Sequence, residues 1–322
     1  MTADAGFDRR RLILATACLA PGACAPPRAS GAVLNVASQR GNTRAILEAS
    51  GALRGAGYTV AWSEFGAAAP LLEALGAGAV DVGGVGDAPF VFAYAAGSRI
   101  KAVAALRAAA SGASTAVIVP NGSPIRTVQD LKGRRVATGK GSVGHYLLLR
   151  LLERAGLPFD AVQTVFLSPG DGKAALQRGA VDAWSTWAPY IGLATLHDAN
   201  RVLADGAGLF TGYSFMAATE TAIAGKRGLL QDFLSRMAAA YRWAAANPAL
   251  HAAALARDTG LPLDVEVDLV RRQDLKVVPI TAEVVRAEVA TLTLFRKAGI
   301  ASVRPDIDAA FDPSFSGGFA SR

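Results

Sequence analysis

Hydrophobic and polar positions form blocks of two kinds between residues 33 and 219. Short apolar runs of strand length alternate with longer segments whose apolar positions recur at helical spacing, and glycine-rich turns separate them. Strands are predicted at 33–37, 58–65, 80–85, 103–106, 116–119, 135–138, 162–167, 181–184, 202–204 and 213–219, with helices between most of them. This alternation predicts an α/β protein with parallel sheets. From Lys226 onward, the chain is predicted to be mostly helical.

One order of local elements occurs twice along the chain. Segments 71–90 and 173–190 both run from a helix through Gly, Ala-Val-Asp and a short strand to a polar turn, Pro and an aromatic residue. This echo predicts two similar lobes, made of residues 31–119 with 214–322 and of residues 120–213, with hinges near 119–124 and 210–214. Ligands bind beyond the carboxyl ends of strands in such sheets, so facing lobes would form one cleft.

Residues 1–30 have the layout of an export signal. Arg9, Arg10 and Arg11 precede a short apolar run, and PGACAPP then breaks it with small residues suited to cleavage. The protein is therefore expected in the periplasm; the paired arginines permit the twin-arginine route, and Cys24 permits a lipoprotein. Cys18 and Cys24 are the only cysteines, so the mature chain has no disulfide or thiolate site.

Composition and charge exclude some functions. At 52% hydrophobic and 18% charged residues, the chain can bury a core and is not disordered. Its net charge of +7 suits an anionic ligand, but no dense basic block with aromatic residues indicates nucleic acid. His145, His197 and His251 lack partners at metal-ligand spacing, so no metal site is predicted.

Residues 134–156 carry the clearest candidate chemistry. A strand, the turn Gly139-Lys140-Gly141-Ser142-Val143-Gly144 and an amphipathic helix follow one another, which directs a helix N-terminus and free N–H groups at one point. Such a point attracts anions. Gly141 and Gly144 allow close approach, Ser142 offers a hydroxyl, and His145 either contacts the ligand or lies in solvent.

The same turn matches the dinucleotide fingerprint G-x-G-x-x-G, which keeps a dinucleotide-binding enzyme as an alternative. That fingerprint needs an acid at the end of the next strand, whereas Asp171 comes late, past a proline. A plain strand-to-helix turn is the other alternative.

Two more strand ends carry candidate ligand contacts. Gly86 and Asp87 follow a strand in the first series, where Asp87 either receives an amine or caps the next helix. Trp187 lies in the polar turn before Pro189 and is suited to cover an alkyl or aryl group.

These residues resemble the substrate-binding proteins of ATP-binding-cassette importers, in the group for aliphatic sulfonates, taurine and nitrate. The resemblance runs from about Val33 to beyond Val278, and the aliphatic-sulfonate-binding proteins are the most similar. It is carried by LLEALGAGAVDVGGVGDAP, by NGSPIRTVQDLKGRRVATGKGSVGHYLLLRLLERAGL and by GAVDAWSTWAPY.

The resemblance implies a two-lobed periplasmic-binding-protein fold of type II, whose cleft closes on a sulfonate-like organic anion. It implies a monomer that has no cofactor, catalyses no reaction and delivers its ligand to a membrane permease. A ligand sensor of the same fold is a further alternative. By position, the ligand would contact Gln39, Gly86, Asp87, Gly141, Ser142, Val143, Gly144, His145, Trp187 and Ser214. The chain departs from the family pattern at Arg40, at Val143-Gly144 and at Ala188, where similar proteins often have an acid.

Overall fold

The computed structural model describes residues 31–109, 112–301 and 306–319. The predicted export signal and both cysteines lie outside these residues. The strands are β1 (Val33–Gln39), β2 (Thr59–Phe65), β3 (Val82–Gly86), β4 (Ile100–Ala108), β5 (Thr115–Pro120), β6 (Arg135–Thr138), β7 (Gln163–Phe166), β8 (Ala183–Trp187), β9 (Asn200–Asp205), β10 (Tyr213–Thr219) and β11 (Leu275–Val278). The helices are α1 (Thr43–Ser50), α2 (Ala68–Gly76), α3 (Asp87–Ala95), α4 (Val143–Arg154), α5 (Pro169–Gln177), α6 (Tyr190–Gly192), α7 (Glu220–Gly225), α8 (Arg227–Ala246), α9 (Pro248–Thr259), α10 (Leu263–Gln273) and α11 (Ala282–Lys297).

The strands form two mixed sheets. The first has the order β11-β4-β10-β3-β1-β2 and the second the order β7-β6-β8-β5-β9. The prediction of purely parallel sheets is wrong, because β10 runs antiparallel to β3 and β4, and β5 runs antiparallel to β8 and β9. The parallel pairs are β1 with β2 and β3, and β6 with β7 and β8, whereas β5 and β10 each enter their sheet from the other one.

The chain crosses from the first sheet to the second between β4 and β5 and returns between β9 and β10. Strand β5 therefore lies in the second sheet, although the predicted division at residue 119 placed it in the first lobe. The first crossing also precedes β5, so it does not coincide with the hinge predicted at 119–124. Strand β11 lies in the segment predicted to be helical; four residues before Pro279 were too short to show a strand period.

The echo between the two halves corresponds to one repeated contact. Asp81 precedes β3 and accepts a hydrogen bond from the Asn35 N–H at 2.7 Å. Asp182 precedes β8 and accepts one from the Arg135 N–H at 2.8 Å. Each aspartate thus joins the start of one central strand to its neighbour, which aligns the carboxyl ends of the strands in both lobes.

Helices cover the sheets, and one helix joins the lobes. Ala88 of α3, Tyr146 and Leu149 of α4 and Leu294 and Phe295 of α11 form a single buried cluster. Helix α11 thus packs on α3 of the first lobe and on α4 of the second. Among the described residues, no helix combines the length and apolar character needed to cross a bilayer.

Candidate ligand-binding cleft

A cleft of about 1400 Å³ lies between the two lobes. It is lined by the turn after β1, the start of α3, the turn before α4 and the end of β8, all at carboxyl ends of strands. Eight of the ten residues predicted to contact ligand line it: Gln39, Gly86, Asp87, Gly141, Ser142, Val143, Trp187 and Ser214. Gly144 and His145 do not.

The turn before α4 has fewer free N–H groups than the sequence suggested. The Gly141 N–H donates to Nδ1 of His145 at 3.1 Å, and the Ser142 N–H donates to the Gly139 carbonyl at 3.1 Å. Among the described residues, nothing accepts from the N–H groups of Val143 and Gly144, the first two of the helix. An anion at this N-terminus would therefore meet those two donors and the Ser142 hydroxyl.

Ser142 has two roles at this point. It is the N-cap of α4, because its Oγ accepts the His145 N–H at 3.1 Å. Its hydroxyl hydrogen remains available to donate into the cleft.

His145 is buried behind the turn, with 3% of its surface exposed, so the solvated position is wrong, and the residue does not line the cleft. Burial lowers the pKa of the imidazole to about 4, with a smaller contribution from Lys140. The neutral ring accepts the Gly141 N–H and contacts Phe166 edge-on. His145 thus supports the turn from behind.

Gly144 is required for packing between α4 and β8. A Cβ there would lie 2.5 Å from the Ser185 carbonyl oxygen, and the Gly144 carbonyl accepts the Ser185 hydroxyl at 2.6 Å. Its Cα therefore faces the sheet, although its N–H belongs to the helix N-terminus.

Two glycines let the lobes meet at the base of the cleft. A Cβ on Gly86 would lie 2.9 Å from Cγ1 of Val143, and one on Gly141 would overlap the ring of Phe92. Gly141 also has a φ of +68°, which disfavours other residues. The N-termini of α3 and α4 consequently face each other across a narrow gap.

The remaining first-lobe residues form the opposite wall. Nε2 of Gln39 donates to the Gly84 carbonyl at 3.2 Å, which fixes the amide beside β3. Ser214 is paired with Gly86 in the sheet. Asp87 is the first residue of α3 and 97% buried, since only 3% of its surface is exposed.

Aromatic side chains make much of the cleft apolar. Trp187 contacts Tyr190 edge-on at 5.9 Å between ring centroids, and Tyr190 donates to the Gly66 carbonyl of the other lobe at 3.4 Å. The sequence did not predict Phe92, Phe210 or Tyr213 as lining residues. Phe92 in α3 and Tyr213 in β10 have the periodicity of core positions, and Phe210 lies in the loop between β9 and β10, so no local signal distinguished them.

Charges in the cleft favour an anion. Arg40 from the first lobe and Lys140 from the second both line it and form no ion pair with the described residues. Glu73 and Arg99 also line it, and Arg99 pairs with Glu220 outside the cleft. The described residues contain no group of three potential metal ligands. The acid that a dinucleotide site needs is also missing, because Asp171 lies in the first turn of α5 and accepts the Ser168 hydroxyl.

Two lobes joined by two crossings around such a cleft are the architecture of the periplasmic-binding-protein fold. Residues 53–250 match the NMT1/THI5-like family. An Escherichia coli (strain K12) protein named for binding aliphatic sulfonates is 36% identical over 278 residues, which cover 85% of this chain and 86% of that protein. The chain therefore belongs to the NMT1/THI5-like family, among the aliphatic sulfonate-binding proteins, which confirms the resemblance found in the sequence.

Solved structures agree with this assignment. The alkanesulfonate-binding protein SsuA from Xanthomonas axonopodis pv. citri, bound to MOPS, superposes with a TM-score of 0.82 at 32% identity, covering 88% of this chain and 99% of that one. The predicted fold class is thereby confirmed. The desulfurization enzyme DSZB has a TM-score of 0.66 at 17% identity, covering 89% and 98%, and shares the fold alone.

Proposed function

We propose that this protein is an extracytoplasmic solute-binding protein that captures an aliphatic sulfonate, or a similar organic anion, and delivers it to an ABC importer. The observation that carries the proposal is the α4 N-terminus, where two free N–H groups and the Ser142 hydroxyl point to one place beside an aromatic wall. Family membership and the names of the relatives support the same ligand class.

The cleft is suited to an anion that has an organic part. Its volume of about 1400 Å³ leaves room for an organic part beside the charged group. Trp187, Tyr190 and Phe92 would cover a carbon chain, while the α4 N-terminus holds the charged oxygens.

Each lobe would supply part of the site. Gln39, Gly86, Asp87 and Ser214 would face the ligand from the first lobe, and Gly141, Ser142, Val143 and Trp187 from the second. The lobes would move as units about the two crossings between the sheets, so that closure surrounds the ligand.

The proposed activity is ligand binding without catalysis. The relatives that are 33–36% identical to this chain over aligned segments of 149–278 residues are named as binding proteins. The periplasmic location is supported by a relative that is named as a taurine-binding periplasmic protein. Delivery to a permease is part of the proposal, since a ligand sensor would bind the anion without docking on a permease.

The test is calorimetric titration of the mature protein, unfolded and refolded to remove carried ligand, with alkanesulfonates of increasing chain length, taurine, nitrate and NAD. MOPS is itself a sulfonate and is bound in a solved relative, so buffers must carry no sulfonate group. We expect micromolar or tighter binding of an alkanesulfonate and none of NAD. Absence of sulfonate binding would overturn the ligand assignment, and turnover of a bound sulfonate would overturn the binding-only activity.

Trp187→Ala identifies the tail end of the site in the same titration. Each methylene buried against Trp187 contributes up to about 0.8 kcal/mol, so the loss of affinity is expected to grow with chain length. Trp187→Phe, which keeps an aromatic face, serves as the control. Equal losses for short and long sulfonates would remove Trp187 from the wall that covers the chain.

A further inference from the structure

Two carboxyl groups are buried next to the base of the cleft. Asp87 begins α3 and lines the cleft, and Glu288 lies on α11, which packs against α3. Asp87 is 3% exposed and Glu288 is fully buried. Neither oxygen of Glu288 accepts a hydrogen bond from the described residues. Two charged carboxylates in such surroundings would be costly, since burial and mutual repulsion both oppose ionisation.

Within the described part of the chain, no cation forms an ion pair with Asp87 or Glu288. From α4, Tyr146 faces both carboxyls. The charge of Arg150 acts to lower the pKa of the Tyr146 hydroxyl, and Nη1 of Arg150 donates to Glu153 at 2.8 Å. From β10, Tyr213 faces Glu288. Beyond Tyr213 lie Arg107 of β4, whose guanidinium is 5.5 Å from the ring centroid, and Glu283 of α11, which accepts the Tyr213 hydroxyl at 3.5 Å.

The electrostatics of the two carboxyls differ. Burial raises the pKa of Asp87 to about 6, against a smaller opposing effect of the Ala88 N–H, which donates to Oδ1 at 2.7 Å. Burial, and then the nearby Asp87, raise the pKa of Glu288 well above its usual range, while Thr291 opposes this weakly. Both carboxyls are therefore held toward their neutral forms, and Asp87 is the one of the two that lines the cleft.

Asp87 lies close enough to the proposed anion position for its charge to affect binding. The residue before it, Gly86, closely faces Val143, whose N–H is one of the two free donors of α4. An ionised Asp87 would repel an anion there, whereas a protonated Asp87 would be neutral and able to donate a hydrogen bond.

We propose that Asp87 is the proton-linked residue of this cleft: it takes up a proton when an organic anion binds, so anion capture strengthens as the pH falls. This inference rests on the proposed function and adds to it a link between ligand affinity and pH.

The experiment is calorimetric titration of the full mature protein with an alkanesulfonate at about pH 5, 6, 7 and 8 and constant ionic strength. Sulfonates stay ionised throughout this range, so any pH dependence belongs to the protein. Two non-sulfonate buffers with different ionisation enthalpies give the number of protons taken up. We expect Kd to rise by about tenfold or more between pH 6 and pH 8, with up to one proton bound per ligand at pH 7.

Asp87→Asn mimics the neutral acid and is expected to bind with less than about threefold change across the same range. The control is Glu266→Gln, which replaces another fully buried acid that does not line the cleft and should keep the wild-type pH dependence. If Asp87→Asn does not fold, the proton count of the wild type remains decisive.

The outcomes separate this inference from the proposed function. Sulfonate binding that does not vary with pH and involves no proton uptake would overturn the role of Asp87 and leave the function standing. No sulfonate binding at any pH would overturn the function itself. Taurine binding that strengthens as the pH rises would show that an ionised Asp87 receives the ammonium group, which also overturns the proposal.

Discussion

Ser142 shows how one side chain can serve both the fold and the ligand. Its Oγ caps α4 through the His145 N–H, and its hydroxyl hydrogen is free for an anion. His145 supports the same turn by accepting the Gly141 N–H. The sequence identified the turn, but only the structure distinguished the residue that faces the cleft from the one that supports it.

At this scale, Ser142→Ala tests both roles. Loss of the cap should lower the free energy of unfolding by about 1 kcal/mol. Loss of the donor should weaken sulfonate binding by about 1–3 kcal/mol, measured by calorimetry. Thr219→Ala is the matched control. The Thr219 hydroxyl oxygen caps α7 by accepting the Ala222 N–H at 3.0 Å, and the residue does not line the cleft, so this change should affect stability alone. Unchanged sulfonate affinity in Ser142→Ala would remove this hydroxyl from the site.

Helix starts are the elements that build the cleft. The N-termini of α3 and α4 come from different lobes and approach each other because Gly86 has no side chain opposite Val143. Two helix dipoles then favour negative charge in the same gap. Each strand–turn–helix unit was visible in the sequence, whereas the contact between the two units was not.

Gly86→Ala tests this approach. The backbone at Gly86 has φ −67° and ψ 164°, which alanine adopts without strain, so the effect is the contact of the new methyl group with Val143. We expect sulfonate affinity to fall by about tenfold, or about 1.4 kcal/mol, because the lobes cannot close fully. The double variant Gly86→Ala/Val143→Ala should recover most of that loss.

Gly122→Ala is the control for this experiment, since a Cβ there meets nothing within 4 Å and the residue does not line the cleft. A double variant as weak as Gly86→Ala alone would show that the contact with Val143 does not limit closure.

On the scale of the whole molecule, α11 holds the lobes together around a buried acid. Phe295 contacts Tyr146 of the second lobe at 5.8 Å between centroids, and Lys297 pairs with Glu153 of α4 at 2.7 Å. Glu288 lies on the same helix without a hydrogen-bond partner among the described residues. Because the pKa of Glu288 is raised in the folded state, the folded protein keeps this proton at pH values at which the unfolded chain has lost it. Stability therefore falls as the pH rises above the ordinary pKa of a glutamic acid.

Glu288→Gln should therefore raise the Tm at about pH 8 and leave it nearly unchanged at about pH 3, below the ordinary pKa of a glutamic acid, where the carboxyl is protonated in both states. Scanning calorimetry at both pH values measures this difference. Glu220→Gln, which alters an exposed ion pair with Arg99, should shift Tm little at either pH. A Glu288→Gln protein that is less stable at pH 8 would show that the carboxylate is charged and stabilised in the fold.

Local pattern and composition determined much of this protein. The alternation of strands and helices, the turn before α4 and the repeated Ala-Val-Asp segments indicated the fold class, two lobes and the turns that carry Asp87, Ser142 and Trp187, because backbone propensity and turn chemistry act over a few neighbouring residues. Gln39 and Ser214 came only from the family resemblance. The family resemblance supplied the ligand class.

Long-range packing decided the rest. The antiparallel strands β5 and β10, the short strand β11, the burial of His145 and the lining positions of Phe92 and Tyr213 all depend on partners distant in sequence. The proximity of Asp87 to Glu288, some two hundred residues away, is of the same kind. Such contacts leave no local period, so only the tertiary structure could place a titratable group at the base of the cleft.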